Sequence, residues 1–456
     1  MLLYIIRRIL LFIPALFFIT LAAFFFNSMM PGDPVMRLLG AESERQGSSF
    51  SNQTQYDKLR HELGIDLPLF YFSFTNLAAP DSIFIVTNAS HKKMVQELSS
   101  ETGNGDAVLS CYIKANNYLH THDGNSNAVA IRKMLAVNSV DELHVALKNL
   151  SIGNADEEFN EVLKSWNRID ANHSSWKKYI PVIKFHSHNQ YQRWLFGNDV
   201  SFRGILKGDF GKSLVSGKNV SLILKEKLGW TIFFTLGGIL ISLAIAIPAG
   251  VYAGRKINSG FDKYSSRFVL LLHSLPSFFT ATLLLMLFAN PSVLGWFPAS
   301  GTGPANETAT GILQWLQIHI PYFILPLICY ALASLPFILR AVRSSMADEL
   351  DKDYIVTARA KGLSEKRVIW NHAFRNALFP LITLVAWLFP AMIGGSAILE
   401  TVFSIPGLGL EIVQGITTRD YPLIIAVFTF TGILTVTGYL VSDILYMLAD
   451  PRVELK

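Results

Sequence analysis

Six apolar stretches, Ile9–Met30, Trp230–Tyr252, Phe268–Phe288, Ile320–Leu339, Ala377–Leu399 and Pro422–Met447, each reach the length of a membrane-crossing helix. A hydrocarbon core about 30 Å thick requires roughly 20 apolar residues at helical rise. Inside it every backbone N–H and C=O must find a partner within the protein, and a helix supplies that partner locally. The stretches therefore predict an all-α polytopic membrane protein with six transmembrane helices. Charge agrees, since only 16% of residues are Asp, Glu, Lys or Arg, against about 25% in soluble domains. The third stretch includes His273 and the sixth includes Asp443 near its end.

Basic residues indicate which side each short loop faces. Arg255, Lys256, Lys263 and Arg267 lie between stretches two and three, and Arg340, Arg343, Lys352, Arg359, Lys361, Lys366, Arg367 and Arg375 between four and five. Pro291–His319 contains neither Lys nor Arg, and only Arg419 precedes stretch six. Both termini are thus expected in the cytoplasm, with Arg7 and Arg8 holding the first. A cleaved leader is disfavoured, because the first stretch is long and Phe-rich and no A-x-A site follows it. The net charge of +5 needs no nucleic acid, since these loops carry much of the excess. Cys111 and Cys329, one outside the membrane and one within stretch four, give no disulfide framework.

Residues 31–229, between the first two stretches, are expected outside the cytoplasm, because long segments cross largely regardless of charge. Ser139 with Glu142 is a capping-box signature ahead of Leu143, Ala146, Leu147 and Leu150, and Asn154 with Glu157 repeats it ahead of Phe159, Val162, Leu163 and Trp166. Asp81–Asn88 reads as a strand, with Ile83, Ile85 and Val86 between turn residues. Gly103–Gly124 is polar and rich in Gly and Asn, and reads as a loop. The result is a mixed or mainly helical extracytoplasmic insertion.

Between stretches four and five, Asp348–Ala360 favours helix and Gly362 suits a left-handed stop. Ser364 can cap a second helix with Glu365 in its first turn, and Leu363 would pack between them. The segment Asp353-Tyr354-Ile355-Val356-Thr357-Ala358-Arg359-Ala360-Lys361-Gly362-Leu363 is a helix of small residues ending in glycine, suited to insertion into another protein. Its alanines are equally compatible with plain helix propensity.

Several strings now fall in order: Pro31-Gly32-Asp33-Pro34, Leu63-Gly64-Ile65-Asp66-Leu67-Pro68-Leu69, Gln190-Tyr191-Gln192-Arg193-Trp194-Leu195 and Gly208-Asp209-Phe210-Gly211-Lys212-Ser213. After the 353–363 segment come His372, Arg375-Asn376-Ala377, Glu400-Thr401-Val402-Phe403-Ser404-Ile405-Pro406-Gly407-Leu408-Gly409, Arg419-Asp420-Tyr421-Pro422 and Asp450-Pro451-Arg452. With them the chain resembles the membrane permease subunits of bacterial ABC importers in the dipeptide/oligopeptide/nickel branch, of the first-permease type. The strings cover nearly all of it except roughly residues 71–188. The general importer motif reads Glu-Ala-Ala, three residues, then Gly. Val356 stands at the Glu position and Thr357 at the first Ala, while Ala358 and Gly362 keep their places, and a role specific to the motif's glutamate has no residue here.

The resemblance implies an ABC importer permease fold: transmembrane helix 1 in residues 1–30, an extracytoplasmic region 31–229 with an insertion at about 72–188, and a core 230–456 with a cytoplasmic coupling loop 340–379. It implies that Asp353, Tyr354, Thr357, Ala358, Ala360, Lys361, Gly362 and Leu363 couple the subunit to an ATPase. The expected partners are a second homologous permease, two cytoplasmic ABC ATPases holding ATP and Mg, an extracytoplasmic substrate-binding protein and membrane lipid. The implied function is import of dipeptides or oligopeptides across the bacterial inner membrane by alternating access. Nickel or another small solute is the alternative cargo, and an ATP-independent channel or carrier the alternative class.

Other motifs fall away. Gly211-Lys212-Ser213 lacks the first glycine of a phosphate-binding loop, because Leu206 occupies that place. No G-x-S-x-G or H-E-x-x-H occurs, so no catalytic site is expected. Eight of the eleven histidines lie between His61 and His188, but without three or four ligands of fixed geometry they make no metal site. Intramembrane ionisable groups often mark a pathway, which makes His273, with the polar Ser274 beside it, and Glu400 candidates to line one. For Glu400 a structural hydrogen bond to the Phe403–Gly409 loop is the competing role.

Overall fold

The computed structural model describes residues 2–29, 35, 39, 50–122, 126–137, 139–148, 157–167, 169, 174–197, 202–304 and 311–449. The strings Pro31–Pro34 and Asp450–Arg452, together with Asn154, lie outside them. The chain forms two compact units: Asp33–Asp209, and Met1–Gly32 together with Phe210–Lys456. In chain order the elements are α1 (Leu2–Ser28), α2 (Phe50–Leu63), β1 (Phe72–Asn76), α3 (Ala89–Thr102), α4 (Gly105–Thr121), α5 (Ser126–Met134), α6 (Val140–Lys148), α7 (Glu157–Asn167), β2 (Pro181–Phe185) and α8 (Gln190–Phe196). There follow α9 (Val220–Arg255), α10 (Gly260–Ser274), α11 (Ser277–Leu284), α12 (Ile312–Leu350), α13 (Asp353–Ala360), α14 (Phe374–Gly395), α15 (Ala397–Phe403), α16 (Leu408–Thr418) and α17 (Tyr421–Ala449).

The Asp33–Asp209 unit has its own helical core. Met94 and Leu98 of α3, Val108, Tyr112 and Tyr118 of α4, Ile131 and Met134 of α5, Leu143 of α6, and Phe159, Val162 and Trp166 of α7 pack together. Most of the segment read as a loop is helical, Gly105–Thr121 forming α4. Asn104 caps α4 by accepting from the Ala107 N–H, and Val108, Cys111, Tyr112, Ala115, Tyr118 and Leu119 lie buried at helical spacing. Gly103, Asn104 and Gly105 punctuate the junction between α3 and α4, whereas Asn116 and Asn117 lie inside α4. Asp81–Asn88 is not a strand either: Ile83–Ile85 form a 3₁₀ turn, and Asn88 caps α3 through the Ser90 and His91 N–H groups. Ser139 behaves as read, accepting from the Glu142 N–H at 3.2 Å.

Among the described residues of this unit the strands are β1 and β2, antiparallel, with Phe72 opposite Phe185 and Phe74 opposite Ile183. Next to them the strings at Leu63–Leu69 and Gln190–Leu195 join. The Gln190 N–H donates to the Pro68 carbonyl and the Tyr191 N–H to that of Leu69. The Gln190 side chain donates to the Leu67 carbonyl at 2.8 Å, and Arg193 donates to the carbonyls of His61 and Glu62.

In the other unit, α9, α12 and Tyr421–Val441 of α17 are each long and apolar enough to cross a membrane. Two bent pairs pass the same test together: α10 with Ser277–Ala289, turning by 98°, and α15 with α16, turning by 87°. The third apolar stretch, Phe268–Phe288, is therefore not one straight helix. Pro276 has no N–H to continue α10, and the residue before a proline is pushed to extended geometry; Leu275 adopts φ −87°, ψ 122°. The fifth stretch crosses the α14–α15 junction at Ser396.

Helices α9 and α12 meet along a stripe of small residues, Gly238, Ser242, Ala246, Gly250 and Gly254, all buried. A Cβ on Gly238 would stand 2.3 Å from Tyr330 Cβ, one on Gly250 2.8 Å from Val342 Cβ, and one on Gly254 2.6 Å from the Arg343 carbonyl oxygen. Between membrane helices lipid removes most of the hydrophobic drive, so close backbone approach and dispersion carry association. Overpacking a fitted seam costs about 1–3 kcal/mol. Gly238→Leu is thus expected to lower the thermal unfolding midpoint of the purified protein in detergent. Gly229→Leu, where an added Cβ meets nothing within 4 Å, leaves the midpoint near that of the parent. Equal effects would contradict the seam.

Candidate functional site

Helix α13 is a short tab beyond the end of α12. It starts at Lys352, which is extended at φ −80°, ψ 148°, and ends at Gly362 with φ +77°. That left-handed backbone admits glycine without strain, and an added Cβ would meet no atom, so the conformation alone requires Gly362. The sides of the tab are sharply divided. Ile355 and Ala358 are 0% and 7% exposed, whereas Val356 is 58% exposed. Asp353, Tyr354, Thr357, Ala360, Lys361 and Gly362 are exposed as well, with Leu363 half-buried.

Ala358, one of the residues expected to couple the subunit to an ATPase, lies on the covered side. Its small side chain lets the tab seat on its own subunit, in one cluster with Val342, Met346, Leu350, Val368, Ile369 and Ala373. The outward stripe is Asp353, Val356, Thr357 and Ala360, one helical face by their spacing. Ser364 makes no side-chain cap. After the single turn Glu365–Arg367 the chain passes through a π-helical turn, Val368–Ala373, into α14.

Polar ties fix the edges of the tab. The Tyr354 hydroxyl donates to Glu349 and accepts from Asn376 Nδ2 at 2.9 Å. Partial burial, and then the Glu349 carboxylate, push the Tyr354 phenol up to about 12, so it remains a donor at neutral pH. Glu365 stands between Arg359 at 3.0 Å and Arg255 of α9 at 3.8 Å. Exposed pairs of this kind contribute little individually. A stronger tie lies behind them: Arg343 of α12 donates through Nε and Nη2 to both oxygens of the buried Asp262 on α10, which also accepts from the Asn258 N–H at 2.9 Å. Sequence reasoning missed this pair. Its trace was the Ser259-x-x-Asp262 signature, and the Ser259 hydroxyl does accept from the Asp262 N–H at 3.3 Å.

Two further strings prove to be clasps. Glu400 is fully buried. Its Oε1 accepts from the hydroxyls of Thr231 at 2.8 Å and Ser396 at 2.9 Å, and its Oε2 from the Leu410 N–H at 2.9 Å. The Leu408 N–H donates to Thr231 Oγ1 at 2.8 Å. A Cβ on Gly407 would fall 2.4 Å from the Glu400 carboxyl carbon, so Gly407 makes the room this carboxylate needs. Glu400 therefore ties the Phe403–Gly409 loop and is enclosed by its own chain. Asp420 is likewise buried and accepts from the Ser213 hydroxyl and the Leu214 N–H. The Gly211-Lys212-Ser213 string is thus part of a clasp to the Arg419–Pro422 string.

His273 and Ser274 sit exposed at the α10–α11 bend. The His273 ring meets Phe337 edge-on at 5.1 Å, and Ser274 Oγ donates back to the Leu270 carbonyl at 2.8 Å. A cavity of about 180 Å³ opens beside them, between His273, Ser277, Thr280, Cys329 and Pro336. A larger one, about 510 Å³, lies between α9 and α12 among Trp230, Phe233, Trp315 and Phe323 and contains none of the residues singled out from sequence. Among the described residues no three His, Cys, Asp or Glu side chains gather as metal ligands.

Comparison with known proteins connects these features. Residues 246–455 match the family described as binding-protein-dependent transport system inner membrane component. Over 267 residues, 58% of this chain and 80% of the relative, the chain is 39% identical to the oligopeptide transport system permease protein AppB of Bacillus subtilis (strain 168). The chain belongs to this permease family. It is also 34% identical, over 55% of this chain and 69% of the relative, to the inner membrane ABC transporter permease protein YejB of Escherichia coli O157:H7. Among solved structures, one of the MetNI methionine ABC transporter in inward facing conformations overlaps 50% of this chain and 97% of its own, with TM-score 0.39 and 18% identity. The family match contains the tab, the Asp262–Arg343 pair, Glu400 and Asp420, whereas the Asp33–Asp209 unit lies outside it.

A buried donor left without an acceptor costs about 1–3 kcal/mol. Glu400→Ala strands the Leu410 N–H and two hydroxyls, and is expected to lower the unfolding midpoint in detergent well below that of Glu400→Gln, which keeps one carbonyl acceptor. Indistinguishable midpoints would contradict the clasp.

Proposed function

We propose that this membrane permease carries dipeptides or oligopeptides across the bacterial inner membrane as one of two homologous permease subunits of an ATP-driven importer. Six spans with both termini in the cytoplasm are the topology that the basic loops favour. The tab then lies on the cytoplasmic side and docks on one of two partner ATPases, which bind ATP and Mg and supply the hydrolysis. A substrate-binding protein delivers cargo on the opposite side. Peptide cargo is favoured by the relatives, whose names specify oligopeptide transport and peptide transport.

The observation that carries this reading is the two-sided tab. One side, Ile355 and Ala358, is built into the core shared with α9 and α12, while the other, Val356, Thr357 and Ala360, is left exposed. Force applied to the outer side reaches the spans through the inner one. Binding of ATP draws the two ATPases together, the tabs follow, and the spans rock from inward- to outward-open. Two states of this kind need only a few kcal/mol of differential contact to exchange populations. His273 and Ser274, beside the cavity at the α10–α11 bend, are the residues of this chain proposed to face the cargo. Glu400 acts in holding the loop before α16.

Gly362→Val tests the coupling. A β-branched side chain in left-handed backbone carries a strain of about 1–3 kcal/mol, which displaces the turn without a clash. The full complex should still assemble and hydrolyse ATP, with uptake per ATP reduced roughly tenfold, the effect of about 1.4 kcal/mol. Uptake equal to the parent would remove the coupling assignment.

A further inference from the structure

The two-stranded sheet of the Asp33–Asp209 unit is inside out. Strand residues alternate between faces, and the exposed positions here are Phe72 and Phe74 on β1 with Pro181, Ile183 and Phe185 on β2. Phe74 is 77% exposed and Phe185 81%. The register sets Phe72 against Phe185 and Phe74 against Ile183, so these side chains form one patch. The inward positions are largely polar. Ser73 Oγ is bonded to His186 Nε2 at 2.9 Å, and Lys184 Nζ donates to the Ala79 carbonyl at 2.7 Å and pairs with Asp81. The unit's own apolar core lies elsewhere, among its helices.

The turn leading into β2, Ser175–Tyr179, adds Trp176 and Tyr179, 59% and 78% exposed. Lys177 and Lys178 stand between them, with Lys178 Nζ 5.1 Å from the Tyr179 ring centroid. A contiguous apolar patch of this kind marks an interaction surface. Its composition identifies the partner. Trp and Tyr concentrate where protein meets lipid headgroups, and lysine stems lie along apolar surface with the ammonium in water. Chain connectivity agrees: residues 186–219 alone join β2 to α9, which is long and apolar enough to cross a membrane. A bilayer is therefore permanently within tethered reach, at high effective concentration.

We propose that the Phe72, Phe74, Ile183 and Phe185 face, with Trp176 and Tyr179, is an interfacial anchor that rests on the lipid bilayer, with Lys177 and Lys178 favouring anionic headgroups. The partner is the lipid surface.

The test uses the full chain in vesicles of phosphatidylcholine and phosphatidylglycerol. Phe74→Cys, Phe185→Cys and, as a control on the exposed side of α4, Lys114→Cys are each labelled with an environment-sensitive fluorophore. Native Cys111 and Cys329 are buried and stay unlabelled, and exposed replacements leave the core intact. Doxyl-labelled phosphatidylcholine should quench the two strand labels several-fold more than the control, with aqueous iodide giving the reverse order. Omitting phosphatidylglycerol should reduce the lipid quenching, and an unchanged value would overturn the headgroup preference. Iodide quenching as strong as at Lys114→Cys would overturn the anchor, as would labels shielded from both quenchers, which would mean that protein covers the face.

Discussion

Everything in the membrane unit hangs on the close approach of α9 and α12. Gly238, Ser242, Ala246, Gly250 and Gly254 remove side-chain bulk along one side of α9, and α12 fills that space with Tyr330, Val342 and Met346. The apolar cluster begun at this seam continues without interruption through Leu350, Ile355 and Ala358 into Val368, Ile369 and Ala373. Tab and spans thus share one packed core. Packed interiors have low compressibility and transmit strain, so such a tab moves with the spans it is seated on.

Buried carboxylates close the structure around that seam. Asp262 is gripped by Arg343, Glu400 by two hydroxyls and the Leu410 N–H, and Asp420 by Ser213 and the Leu214 N–H. Buried charge is costly unless its hydrogen-bonding capacity is met, and each of these groups has at least one partner distant in sequence. The distant partners, Arg343 for Asp262, Thr231 for Glu400 and Ser213 for Asp420, specify which loop lies where. That assigns Glu400 a tying role and explains why its string contains glycine at the place where a side chain would strike the carboxylate.

The parts of this fold set by local physics were legible in the sequence. Apolar stretches announce membrane helices because lipid leaves the backbone no alternative. Gly362 announced its turn because only glycine sits at φ +77° without strain. Where local signals were read too literally, they misled. Asn104 and Gly105 looked like a loop but begin α4, and Ile83–Ile85 looked like a strand but form a 3₁₀ turn. Composition does not tell which side of a helix is covered, so the burial of Ala358 was not legible. The Asp262–Arg343 pair, 81 residues apart, and the inverted sheet at Phe72–Asn76 depend on tertiary placement, which no spacing rule contains.

The outer side of α13 is proposed as the docking surface for a partner ATPase, continuous with the core of the spans. The most direct measurement is disulfide cross-linking from Val356→Cys and Ala360→Cys to single cysteines in the groove of the partner ATPase, in the purified complex with and without ATP. The account predicts a cross-link at both positions, with yields that change with nucleotide, and loss of reactivity toward a soluble maleimide on assembly. Full maleimide reactivity in the assembled complex, with no cross-link in either nucleotide state, would contradict it.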